Sequence, residues 1–402
     1  MTTRKTVRIA FASLLLLAAS FAAPAASAQT PPASPSKEGN STGVALQQRG
    51  LRGPGAELER RIKAAAPRTM GGNGLAGAMG GARVNVTEDA PREILLSIPQ
   101  LTDGQVPLAF FIASNPSDAV TEYRIWSRSA GNVVVLVTLE GKRQEVQITW
   151  SSVVLMTPWN ITPETAPFEP YRAATPCVQS TSERIVKLAD TLWPASGRPD
   201  EFAANIRGHV ERMARKSDPK SLDALGILAS GDNTICTANS NVAAALMRAK
   251  GIACRSLAVI PLVSRQYEMH RVSEFADGDR WARFDPSSLH RDIPAKPWQN
   301  IVMSKSTIDD ERRSMRPRNG VMLGCPYGQS IELPLSGVVL TGRDFFWTIG
   351  KPLAEFEATE ESARLAAEAW KRFLETGALT QGQIDARAAT TAAEFSELLK
   401  AE

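Results

Sequence analysis

Histidine is scarce in this chain: 402 residues hold only His209, His270 and His290. Any chemistry that needs an imidazole therefore has three candidates. Cysteine is almost as rare, with four copies. Four thiols in this length exclude a disulfide-stapled mini-protein. No Cys-x-x-Cys or His-x-x-x-His spacing occurs, so neither a metal nor another cofactor is expected. Past the first segment, no charge-free run approaches the ~20 apolar residues that span a bilayer. A surplus of charge is missing too. The formal net charge is +4, and Arg4, Lys5 and Arg8 stand in the first ten residues. Without those three, the 46 basic residues fall to 43, against 42 acidic ones. A near-neutral chain offers no basic field for nucleic acid or for an anionic membrane. What is present, 43% hydrophobic and 22% charged residues, can build a core. The length suits two or three domains.

Residues 1–28 have the form of a secretory signal peptide. A basic start leads into an apolar run from Ile9 to Phe21, and Ala26-Ser27-Ala28 closes it with small residues. Cleavage is expected near Ala28. The product is an exported chain, periplasmic or extracellular, with no stable membrane anchor. Residues 29–83 have linker composition, with Pro31, Pro32 and Pro35 at one end and Gly71 to Gly81 at the other, and are expected to be mostly disordered. The glycine run does not sit between a strand and a helix, so no phosphate cradle is expected there.

Strand patterns begin near Val84. Five apolar or alternating runs, separated by turn residues such as Asn115-Pro116-Ser117-Asp118 and Gly141-Lys142, predict a small all-β domain over 84–158. Helical patterns follow. Thr181-Ser182-Glu183 opens one, Pro199-Asp200-Glu201 a second, and a third runs from Thr237 to Lys250 and stops at Gly251. A strand is expected over Ser256–Val263, then a hairpin turning at Asp277-Gly278-Asp279. Residues 159–300 form the expected second domain, and 301–402 a mixed C-terminal region. In that region Ile331–Thr341 and Phe345–Ile349 read as strands, and Leu353–Glu375 and 380–402 as helices.

Cys236 lies between the turn-rich stretch Gly231-Asp232-Asn233-Thr234 and an Ala-rich helical pattern. It is placed at or just before a helix N-terminus, where unpaired amides and the helix dipole favour an anion. A thiol there ionises more readily, and the thiolate is the nucleophile. Amide groups at the same helix start can stabilise an oxyanion. A thiolate of this kind needs a histidine as base and then acid. His270 is the best placed of the three, at the start of the first hairpin arm. Asp285 closes the second arm, so an antiparallel pair brings the two side by side and lets the carboxylate fix the tautomer.

These residues resemble the core of the transglutaminase-like superfamily, papain-like thiol enzymes with the order Cys, His, Asp. The first matching block is Cys236 with Leu246, Arg248, Gly251, Ile252 and Arg255. The second is His270, Glu274, Asp277-Gly278, Trp281 and Asp285-Pro286. The sequence departs from the family pattern at Val272, Thr234 and Thr237 to Asn239. The resemblance covers about 175–290. It implies an α+β fold in which a helix bearing the Cys packs on an antiparallel sheet. It also implies an acyl-enzyme route in which Cys236 attacks an amide carbonyl, His270 shuttles the proton and Asp285 orients His270. The expected substrate is a protein or peptide. Water gives hydrolysis and an amine gives a crosslink; hydrolysis is favoured because bulk water competes at an open exported site. The competing class is a non-catalytic binding or scaffold protein on the same fold. Cys177 and Cys325 flank the core and are a candidate disulfide. Arg248 and Arg255 are expected to be helix-surface or structural ion-pair residues, and Trp281 to be core.

Overall fold

The computed structural model describes residues 72–86, 89, 92–116, 118–127, 132–142, 144–161, 168–214, 221–231, 236–262, 270–287, 291–308, 311, 349–355 and 358–375, with short strands at 44–46, 322–323 and 338–339. The signal segment 1–28, Cys325, His290 and the helix expected over 380–402 lie outside the described residues. The architecture is α+β. Seven strands come first: β1 Val44–Leu46, β2 Gly74–Val86, β3 Arg92–Ser97, β4 Gln105–Asn115, β5 Val120–Ser127, β6 Val133–Leu139 and β7 Gln144–Met156. Four helices follow: α1 Glu183–Leu192, α2 Pro199–Glu211, α3 Ala224–Ser230 and α4 Cys236–Ala249. Then come β8 Cys254–Pro261, β9 His270–Asp277, β10 Arg280–Phe284, β11 Asn300–Lys305, β12 Met322–Leu323, β13 Val338–Val339, β14 Ile349–Glu355 and α5 Glu360–Glu375.

Among the described residues the strands form three sheets, in the orders β1-β5-β6-β3-β12, β13-β2-β7-β4 with β14 also on β2, and β10-β9-β8-β11. The glycine-rich run is a strand, not linker: β2 begins at Gly74, ten residues before the expected start of the β domain. Its small residues have a packing reason. Gly80 pairs with Trp150 of β7, and a Cβ at Gly80 would lie 2.8 Å from the indole ring. Hydrogen bonding to β7 on one side and β14 on the other stabilises a backbone that glycine would otherwise leave loose.

The β region is not walled off from the rest. Val135, Val137 and Leu139 of β6 share one core with Ala76, Ile148 and Trp150, and with Ile260, Ile301 and Met303 of the third sheet. Buried amides complete this junction. Gln105 Oε1 accepts from Val302 N–H at 2.7 Å and its Nε2 donates to Val302 O at 3.0 Å. Asn132 does the same for Lys305, at 2.8 Å in both directions. Each amide thus imitates a neighbouring strand and covers the edge of β11. The C-terminal helix starts later than expected, at Glu360, because Ile349–Glu355 is drawn into the sheet beside β2. Its Ala363 and Ala367 pack on Leu75, Val106 and Leu155. Of the two C-terminal strand expectations, Val338–Val339 is a strand, and in the second Ile349 opens β14. Among the described residues no helix is long and apolar enough to cross a membrane.

Candidate active site

The helix that begins with Cys236 is buried without a break from Thr237 to Arg248. It packs against α1, α2 and α3 and against β8 and β9, and its run Ala243-Ala244-Ala245 permits close approach on several faces. Buried on nearly every side, with Thr237, Asn239, Ser240, Asn241 and Arg248 among its buried residues, this helix is the central post of the fold. The helix before it is set by Asp223, whose side chain accepts Gly226 N–H at 2.9 Å, and ends at Gly231 with φ of 66°. Left-handed backbone of that kind suits glycine. At its far end α4 is anchored by Arg248, whose side chain is fully buried. The guanidinium makes a two-pronged pair with Glu311 at 2.7 and 2.8 Å and also donates to Cys254 O at 2.6 Å.

His270 opens β9. The chain turns at Gly278, φ 65°, and β10 returns in register, Phe284 opposite Ser273. The next residue is Asp285, which is fully buried. Its Oδ2 lies 3.0 Å from His270 Nε2, and its Oδ1 accepts Ser287 N–H at 2.7 Å. Cys236 hydrogen-bonds the same imidazole. Arg271 N–H reaches the same sulfur, and its guanidinium donates to Ser306 Oγ at 3.2 Å. The three residues singled out in the sequence therefore meet.

Charge decides the state of this trio. Burial is the largest single influence on Cys236 and opposes ionisation. The hydrogen bond from His270, the imidazolium charge, the Arg271 amide and the Arg271 charge together outweigh it, and the thiol is held below its ordinary range. For His270, burial again acts first and lowers the pKa. The bond to Asp285, with the Cys236 bond and both negative charges, reverses this and pushes it up to about 10. Both shifts run in the direction that favours a thiolate beside an imidazolium. Cys254 is the contrast: burial pushes that thiol up, leaving it inert. His209 sits in the last turn of α2, where burial lowers its pKa.

The remaining sequence candidates are structural. Arg255 pairs with Glu274 at 2.6 Å and lies over Trp281 at 4.3 Å and Tyr171 at 5.3 Å. Trp281 also meets Phe168 at 4.9 Å between ring centroids. Cys177 is buried in the helical core, and its expected partner is outside the described residues. Three residues near the relay escaped sequence reasoning: Arg271, Asn239 and Ser287. Each stands one to three positions after a member of the trio, and that adjacency was the available signal. Among the described residues, no group of three His, Cys, Asp or Glu could hold a metal.

Residues 181–286 match the family described as the transglutaminase-like superfamily. This segment is similar to the core of that superfamily. The match spans α1 to the end of β10 and contains Cys236, His270 and Asp285. Among solved structures, a candidate cysteine protease from Cytophaga hutchinsonii is similar over 71% of this chain and 93% of its own, with 13% identity and a TM-score of 0.49. The periplasmic domain of TgpA from Pseudomonas aeruginosa is similar over 58% and 91%, with 14% identity and a TM-score of 0.25. No curated protein matches the chain. The transglutaminase-like core stops short of β11, the strand that joins its sheet to the β region.

Proposed function

We propose that this chain is an exported thiol enzyme that opens amide bonds of protein or peptide substrates through an acyl-enzyme. The observation that carries the reading is the relay itself, Asp285 Oδ2 at 3.0 Å from His270 Nε2 with Cys236 bonded to the same ring. The thiolate attacks the carbonyl carbon. The oxyanion faces the first-turn amides of α4, which have no intrahelical acceptor. His270 gives its proton to the leaving amine as the C–N bond breaks, and a thioester remains. Water, losing a proton to His270, then attacks the thioester. Acid is released, and the thiolate–imidazolium pair returns. An amine in place of water gives a crosslink, and hydrolysis is the favoured branch. A protein-degradation assay with unstructured polypeptides tests the class. Turnover abolished by Cys236→Ala is expected, and amine incorporation into a glutamine-containing protein marks the transferase branch. Wild-type inactivity on both, with a thiol that alkylates like a free cysteine, would leave a binding scaffold as the role.

A further inference from the structure

A hydrogen-bonded path leaves the relay and returns to the helix that carries the nucleophile. Asn239 stands one turn beyond Cys236 in α4 and is 1% exposed. Its Nδ2 donates to Ser287 Oγ at 3.1 Å. Ser287 N–H donates to Asp285 Oδ1 at 2.7 Å, and Asp285 Oδ2 faces His270 Nε2 at 3.0 Å. His270 bonds Cys236, which closes the ring on the turn where it began. We propose that Asn239 and Ser287 are positioning residues that latch the Asp285 carboxylate to the nucleophile helix; this rests on the thiol-enzyme reading above.

The physical need is rotational. The last torsion of an aspartate is broad and roughly two-fold, so burial alone does not aim its oxygens. A bond to Oδ1 from the Ser287 amide fixes that torsion and leaves Oδ2 turned to the imidazole. The Ser287 amide is itself held because its hydroxyl is gripped by Asn239. Helix and loop then move as one body, and the tolerance of about 0.5 Å that a catalytic constellation allows is kept. The charged groups acting on the sulfur are His270 and Arg271, Asp285 acts on His270, and neither latch residue adds a charge.

The test uses the intact protein and the pH profile of Cys236 alkylation by iodoacetamide, with thermal unfolding alongside. Ser287→Ala and Asn239→Ala are expected to raise the alkylation midpoint by about one pH unit each, the size of one lost hydrogen bond. Ser287→Thr keeps the hydroxyl and is expected to keep the wild-type midpoint. Should Asn239→Ala not fold, Ser287→Ala carries the reading, because Ser287 is only partly buried. Folded variants with the wild-type midpoint, whatever their melting temperature, overturn the latch and leave both residues merely structural. A wild-type midpoint at the free-thiol value overturns the latch and the thiol-enzyme reading together, so the two failures are told apart.

Discussion

Replacing His270 by Ala removes the two strongest influences that favour a charged sulfur at Cys236, a hydrogen bond and a neighbouring cation, and leaves the burial untouched. The midpoint of the alkylation profile is therefore expected to cross the free-thiol value of about 8.5, from below it to above it. Every unit of that crossing is about 1.4 kcal/mol of lost thiolate stabilisation. The midpoint is the right quantity, because a rate at one pH mixes two effects. A thiolate of lower pKa is also a weaker nucleophile, with a Brønsted slope of about 0.4–0.5, so single-pH rates understate the change. Iodoacetamide labelling from pH 5 to 10, read by mass spectrometry at Cys236, provides the profile. Cys254 acts as an internal control, since burial keeps it protonated until the protein unfolds. Identical midpoints for the wild type and His270→Ala would refute the reasoning, because no ion pair could then exist.

Proton counting extends this to stability. His270 is held up to about 10 against about 6.5 unfolded, so its contribution to stability is fully present below about 6.5 and is lost as pH rises through about 10. Cys236 is shifted the opposite way, so its contribution is present above the free-thiol value of about 8.5 and falls as pH falls, and urea midpoints across pH against a Cys236→Ala/His270→Gln double variant check both trends. Arg248→Met leaves the Glu311 carboxylate buried without its cation and is expected to cost roughly 3–5 kcal/mol in urea unfolding. Gly80→Ala forces a methyl against the Trp150 ring and is expected to cost about 1–3 kcal/mol. Trp150→Leu in the Gly80→Ala background is expected to return part of that loss, measured as coupling between the two sites.

The relay was legible because its signals are local. A turn-rich stretch followed by alanines marks the start of α4. Asp277-Gly278 marks a hairpin whose arms must bring residues 270 and 285 to the same end. Antiparallel geometry did the rest. Features that depend on distant partners were not legible. Glu311 meets Arg248 across 63 positions, and nothing near either residue announces the other. Gln105 and Asn132 look like ordinary polar residues until β11 arrives 197 and 173 positions later. Glycine composition misled over Gly74–Gly81, which is part of strand β2 and where Gly80 lies against a tryptophan of the neighbouring strand rather than in a flexible tether. A broken prediction of helix start in the C-terminal region has the same origin: β2 captures Ile349–Glu355 before the helical pattern takes over.

The junction formed by Gln105 and Asn132 decides how this protein can be handled. A fragment cut to the family segment would end before β11 and bare the flank of β8 that β11 now covers. Extending the cut to residue 305 would restore β11 yet strip it of its two side-chain amides, and would also bare Ile260, Ile301 and Met303. Such pieces are expected to stick to one another through unclad strands. Expression should therefore begin ahead of Gly74, and activity lost in a shorter piece should be read first as precipitation rather than as missing chemistry.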